Sequence, residues 1–126
     1  MPQESRIDLS IIIPIYNEAK FINRLFDDLK KYFNTKSVEV IFVDDGSNDD
    51  TPKLIKEFEK KDSYKFNFIP IKLDINSGKG KAIQTGIKKS LGKYILLQDA
   101  DLELDTKDAS EMYQMIKNNN EIKCIF

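Results

Sequence analysis

Alternation constrains this chain most: apolar runs of strand length take turns with segments of helical periodicity. Leu9-Ser10-Ile11-Ile12-Ile13 reads as a buried strand stopped by Pro14. From Glu18 to Phe33, apolar residues recur at 21, 22, 25, 26, 29 and 33, one face of a helix. Val38 to Val43 is a second strand and Asp44 to Asp50 a polar loop. Thr51 takes the N-cap of the next helix and Pro52 its first helical position. That helix runs to about Lys61, with Leu54, Ile55 and Phe58 inward. Phe66 to Leu73 is a third strand, with Pro70 pointing to an edge or a bulge. Asp74 to Gly78 turns into a helix over Lys79 to Leu91, with Ile83, Ile87 and Leu91 inward and Gly92 ending it. Lys93 to Gln98 is a fourth strand and Asp99 to Asp105 its loop. Thr106 to Asn118 is a helix with Met112, Tyr113 and Ile116 inward, and Ile122 to Phe126 starts a fifth strand.

Strands joined by crossover helices imply an α/β domain with a mainly parallel sheet covered on both faces. A chain of 126 residues suits one domain. It buries roughly two thirds of the surface its unfolded form exposes. Ligands of such sheets bind beyond the carboxyl ends of the strands. Four polar stretches fall at that edge: Tyr16 to Glu18, Asp44 to Asp50, Asn76 to Lys81, and Asp99 to Glu103.

Composition removes several chemistries. With no histidine, Ser-His catalysis, His-zinc sites and the commonest general base are excluded. Cys124 is alone, so no intrachain disulfide forms, which fits a reducing compartment; its apolar surroundings suggest a buried thiol. Lys plus Arg number 20 and Asp plus Glu 21, so no overall field draws nucleic acid or an anionic membrane, and local clusters must carry any anion binding. No apolar run approaches the ~20 residues of a membrane span, and no signal-peptide core stands at the start. The expected location is cytoplasmic, with any membrane attachment of a longer protein at the cytoplasmic face.

Gln98-Asp99-Ala100-Asp101-Leu102-Glu103 carries the sharpest chemistry. Alternation at a strand end can point Asp99 and Asp101 to one side. Paired carboxylates repel unless a cation sits between them, and hard oxygen ligands favour Mg²⁺ or Mn²⁺, which also grips phosphates. Glu103 is a candidate third ligand or a partner of the ligands. In Val43-Asp44-Asp45-Gly46-Ser47, a carboxylate at a strand end can accept from a base or ribose, and Ser47 can donate. Asp49 to Thr51 serve the start of the following helix. In Asn76-Ser77-Gly78-Lys79-Gly80-Lys81, glycines admit a ligand to the backbone, with Lys79 and Lys81 as phosphate partners. This stretch has neither the Walker A spacing nor the dinucleotide fingerprint. Tyr16 can stack on a base, and Glu18 can bond ribose or a neighbouring loop. Each stretch taken singly also reads as an ordinary solvated loop, turn or helix start.

Taken together, four segments resemble family 2 glycosyltransferases of the GT-A fold. They are Ser10 to Glu18, Val43 to Thr51, Asn76 to Ala82 with Gly86, and Asp99 to Glu103. The resemblance implies a Rossmann-like, mainly parallel sheet flanked by helices, and inverting transfer of a hexose from a nucleotide diphosphate-sugar. It assigns nucleotide-sugar contacts to Pro14, Tyr16, Glu18, Asp44, Asp45, Ser47, Gly78, Lys79, Lys81, Asp99 and Ala100. It assigns the metal to Asp99, Asp101 and Glu103. The Asp-Ala-Asp-Leu-Glu and Gly-Lys-Gly-Lys-Ala wording is most similar to dolichyl- and polyprenyl-phosphate glucosyl- and mannosyltransferases. The implied partners are a UDP- or GDP-linked sugar and a lipid-phosphate or glycan acceptor. Such domains run to about twice this length, so residues 1–126 correspond to the N-terminal, nucleotide-sugar-binding part of a truncated domain. The general base and acceptor site are then expected outside this chain.

The implied reaction is direct displacement at the anomeric carbon by an acceptor oxygen, with the nucleoside diphosphate leaving. A binding module without turnover is the main rival. A phospho-accepting domain would carry its acidic pair after the first strand, whereas Asp44 and Asp45 follow the second. A sugar nucleotidyltransferase would carry a Gly-rich basic loop where Pro14 to Glu18 stands.

Overall fold

A computed structural model describes residues 6–100, 106–118 and 124–125. Its strands are β1 (Leu9–Ile15), β2 (Val38–Asp45), β3 (Asn67–Leu73), β4 (Tyr94–Leu97) and β5 (Cys124–Ile125). Its helices are α1 (Ile22–Tyr32), α2 (Thr51–Glu59), α3 (Lys79–Lys89) and α4 (Thr106–Lys117). The sheet order is β3-β2-β1-β4-β5, and every pairing is parallel. This is the α/β architecture that the alternation predicts. The chain leaves β1 toward one edge, through β2 to β3, then returns across to β4. Strand order therefore reverses between β1 and β4, where such sheets open a crevice.

Alternation along the central strands fills two cores. Leu9, Ile11, Ile13, Val40, Phe42 and Leu96 face α1, α2 and α4. Ile12, Ile41 and Val43 face α3. On the first face, Phe26 stacks on Phe58 at 4.1 Å and meets Phe42, Tyr64, Phe66 and Phe68 edge-on. On the second, α3 comes so close that a Cβ on Gly86 would stand 2.5 Å from the Ile12 side chain.

Several boundaries differ from the sequence reading. β1 runs through Pro14 to Ile15 instead of stopping. Its ladder with β4 ends at the Ile12–Leu97 pair, and the Ile12 carbonyl accepts from the Gln98 N–H. Residues 12 and 14 turn the same backbone edge toward β4, so the N–H that Pro14 lacks would have extended that ladder. The proline ends one pairing without ending the strand, and the crevice opens there. β2 likewise runs on through Asp44 and Asp45, expected in a loop. β3 lies at the edge, as Pro70 suggested.

α1 begins at Ile22, four residues later than read, and neighbouring side chains take the N–H groups of residues 17–19 ahead of it. Phe21 is exposed. Asp50, not Thr51, is the N-cap of α2, and Thr51 is its buried first residue. α3 turns Ala82 and Gly86 inward, leaving Ile87 and Leu91 exposed, and it ends at Lys89 with Ser90 as its C-cap. Small residues form its contact stripe because the helix lies so close to the sheet. α4 buries Thr106, Ala109 and Tyr113, while Met112 is exposed. The side chains of Ile116 and Cys124 lie outside the described residues.

Candidate nucleotide-sugar site

The loop after β1 is held to the loop after β2 by bonds that replace a helical start. The Asn17 N–H donates to Ser47 Oγ at 2.8 Å, and the Asn48 N–H donates back to Asn17 Oδ1 at 2.9 Å. The Glu18 N–H donates to Thr51 Oγ1 at 3.1 Å, and the Ala19 N–H to Asp49 Oδ2 at 3.3 Å. Asn17 closes this turn in the left-handed region, at φ 52°. Asparagine tolerates that conformation better than most residues. Burial pushes the Asp49 carboxyl upward, but bonds from the Thr51 side chain and from backbone N–H groups of Thr51 and Ala19 outweigh it. Its pKa therefore lies below the ordinary 3.8.

The two adjacent acids of β2 part to opposite faces of the sheet. Asp45 Oδ1 accepts from the Ser77 N–H at 2.7 Å and Oδ2 from the Gly78 N–H at 2.8 Å, so its carboxylate fixes the turn that leads into α3. Asp44 Oδ1 accepts from the Ser47 N–H at 3.0 Å, while Oδ2 is buried without a hydrogen-bond partner among the described residues. Asp44 lines a separate groove between α2 and β3. Gly46 sits at φ 73°, and a Cβ there would stand 2.5 Å from the Asn76 backbone nitrogen. A glycine lets the loop after β3 settle on the loop after β2.

A cleft of about 540 Å³ lies where these loops meet, over the carboxyl ends of β1, β2 and β4. Pro14, Ile15, Tyr16 and Glu18 form one wall, Asp45, Asn76, Gly78 and Lys79 another, and Asp99 and Ala100 stand after β4. Lys79 Nζ donates to Asp99 Oδ1 across the opening. Gln98 ties the end of β4 to α4 by donating from Nε2 to Thr106 Oγ1 at 3.0 Å.

Eight of the eleven sugar-nucleotide residues expected from sequence thus share one cleft: Pro14, Tyr16, Glu18, Asp45, Gly78, Lys79, Asp99 and Ala100. Asp44 faces the other side of the sheet, Ser47 braces the loop after β1, and Lys81 is exposed on α3 away from the lining. Ile15 and Asn76 line the cleft without having been singled out as contacts. Asp101 and Glu103 lie outside the described residues. Among the described residues no three acids, cysteines or histidines cluster for a metal. Asp99 nonetheless fits a hard cation: its carboxylate stands at the lip, already facing the Lys79 ammonium.

A crevice at the switch point, rimmed by carboxylates, a lysine and the N-terminus of α3, lies where open α/β sheets take their ligands. The Glycosyl transferase family 2 profile matches residues 10–125, and the chain belongs to that family. It is 39% identical over 129 residues to the dolichyl-phosphate beta-glucosyltransferase of Dictyostelium discoideum, covering 94% of this chain and 39% of that protein. The crystal structure of S. aureus TarS 1-349 with UDP superposes with TM-score 0.76 and 28% identity, over 90% of this chain and 33% of that one. The mannosyltransferase PcManGT of Pyrobaculum calidifontis, with GDP-Man and Mn²⁺, superposes with TM-score 0.71 and 25% identity, over 86% and 32%. The chain therefore spans well under half the length of these proteins, and its sheet and helices are those of a GT-A glycosyltransferase. No helix among the described residues is long and apolar enough to cross a membrane.

Proposed function

We propose that this chain binds the nucleotide diphosphate-sugar for a hexosyl transfer with inversion, onto a dolichyl or polyprenyl phosphate. The observation that carries the donor reading is the convergence of four strand-end loops on one cleft. The UDP and GDP-Man complexes of its structural neighbours support the donor class. The dolichyl-phosphate relative supports the acceptor.

In this reading Pro14 and Tyr16 flank the nucleoside, Glu18 and Asp45 face its polar edges, and Gly78 and Lys79 face the diphosphate. Asp45 acts partly through α3, since its two bonds aim that helix at the cleft. Asp99, with Asp101 and Glu103, would hold Mg²⁺ or Mn²⁺. When bound, the ion neutralises charge gathering on the leaving diphosphate. Lys79 is placed to exchange the Asp99 carboxylate for a phosphate oxygen. A lipid-phosphate acceptor is already anionic at neutral pH, so its attack needs no general base. Residues 1–126 are then the N-terminal, donor-binding part of the transferase domain, and the site of action is the cytoplasmic face of a membrane.

Titration calorimetry with UDP and GDP, with and without Mn²⁺, tests this. One nucleotide should bind selectively, and Asp101→Ala should abolish the Mn²⁺-dependent gain. Asp45→Ala should weaken binding even without metal, with the melting temperature measured alongside. Absence of binding by either nucleotide sinks the donor reading. Unchanged Mn²⁺ dependence in Asp101→Ala sinks the metal assignment.

A further inference from the structure

Charge along this chain is segregated. The stretch 79–93 holds five of its 20 basic residues, Lys79, Lys81, Lys88, Lys89 and Lys93, and none of its 21 acidic ones. The rest of the chain therefore carries six more acids than bases. The other helices mix signs: α1 sets Asp27 and Asp28 beside Lys30 and Lys31, and α2 sets Lys53 and Lys56 beside Glu57 and Glu59. The helix dipole favours Lys88 and Lys89 in the last turn of α3. It favours neither Lys81 in the first turn nor the lack of acids there.

The same surface carries apolar side chains. Ile87 is 42% exposed and Leu91 72% exposed, among the exposed Lys88, Lys89 and Lys93. Leu91 does not sit on a loose end. Its N–H donates to Glu39 Oε2 at 2.6 Å, and the Gly92 N–H donates to Ser10 Oγ at 2.8 Å, both buried anchors inside the sheet. Among the described residues no carboxylate pairs with Lys81, Lys88, Lys89 or Lys93.

We propose that the outer face of α3 and the turn after it dock on an anionic lipid bilayer, with the lysines at the headgroups and Ile87 and Leu91 in the interface. Basic residues flanking exposed apolar ones on a surface helix suit that partner in both charge and polarity. An acidic protein surface would match the lysines by charge; a bilayer offers headgroups for the lysines and an apolar layer for Ile87 and Leu91 together. This goes beyond nucleotide binding and does not depend on it. Because α3 starts at Lys79 on the cleft, docking along this helix sets the cleft beside the headgroup layer.

The test is co-sedimentation of the 126-residue chain with vesicles of phosphatidylcholine alone, or with about a third phosphatidylglycerol. Binding should require the anionic lipid and weaken as salt rises. Each lysine neutralised in Lys88→Gln/Lys89→Gln/Lys93→Gln should cost about fivefold, so the triple variant about a hundredfold. Leu91→Ser should weaken binding further without altering the salt dependence. Melting temperature and nucleotide affinity should be unchanged in all these variants. The proposal fails if both vesicle types bind equally, if neither binds at low salt, or if the triple variant binds like the parent. It fails also if poly-glutamate binds as tightly as the vesicles and Leu91→Ser has no effect, which would mark a protein-docking patch.

Discussion

The two faces of the sheet are held by different physics. On one, three helices pack through large aromatic and aliphatic side chains around Phe26. On the other, α3 is the one helix among the described residues; it packs through Ala82 and Gly86, and β2 supplies a carboxylate at each end of it. Asp45 receives the N–H groups of Ser77 and Gly78 ahead of the helix, and Glu39 receives the Leu91 N–H after it. Both acids share a parity with Ile41 and Val43, so one side of β2 supplies both carboxylates, while Ile12 of β1 meets Gly86. Hydrophobic burial is non-directional and tolerates small shifts. Carboxylate–backbone bonds fix a helix in place, and α3 is the helix whose N-terminus must be aimed at the cleft.

If that contrast is right, the largest loss comes from the aromatic face. Phe26→Ala should destabilise the fold by about 3–5 kcal/mol, because the side chain is buried and contacts five other rings. Urea unfolding followed by circular dichroism measures it. Nucleotide affinity of the folded fraction should be preserved, and a loss below 1 kcal/mol would mean that this face is not the main core.

The α3 face should yield a smaller and more local effect. Ser10 Oγ donates to Glu39 Oε2 at 2.5 Å, so Glu39→Ala orphans that hydroxyl together with the Leu91 N–H. The cost should be about 1–3 kcal/mol. Glu39→Gln, which keeps one acceptor oxygen, should recover most of it. Hydrogen exchange sharpens the comparison. Amides of α3 and residues 90–92 should lose protection before those of α1, and equal loss in both would deny α3 its separate anchoring.

The same contrast governs how far the sequence was legible. Helical periodicity found α1 because its contact stripe is made of large apolar residues, Ile22, Leu25, Phe26 and Leu29. It chose the wrong stripe for α3 because the contact residues there are Ala82 and Gly86, which carry little hydrophobic signal. Four polar segments at strand ends were enough to foresee one cleft, since parallel crossover topology delivers alternate connections to the same edge. Roles within it were less legible. A carboxylate that fixes the turn into a distant helix, such as Asp45, looks in sequence like one waiting for a ligand. Asp44 looked identical to Asp45, yet one residue of strand pleat sends it to the opposite face. Asn17 gave no warning that it would take a left-handed turn, because that depends on Ser47 and Asn48, some thirty residues away.

The smallest expected effect separates solvated carboxylate bonding from the buried kind. Asp49 accepts backbone bonds as Asp45 and Glu39 do, but it is exposed on the rim, where water and salt screen its bonds. Its folded pKa lies below the ordinary 3.8, so its contribution is complete above that value and fades as pH falls through the folded-state pKa. Asp49→Asn should therefore cost a little stability near neutrality, nothing once the parent carboxyl is protonated, and so flatten the fall of unfolding free energy as pH drops through the folded-state pKa. Urea denaturation at stepped pH gives both slopes. Identical slopes in parent and variant would mean that the bonds to Ala19 and Thr51 add nothing in water, leaving Ser47, Asn17 and the Thr51 hydroxyl to hold the loop after β1 against the loop after β2.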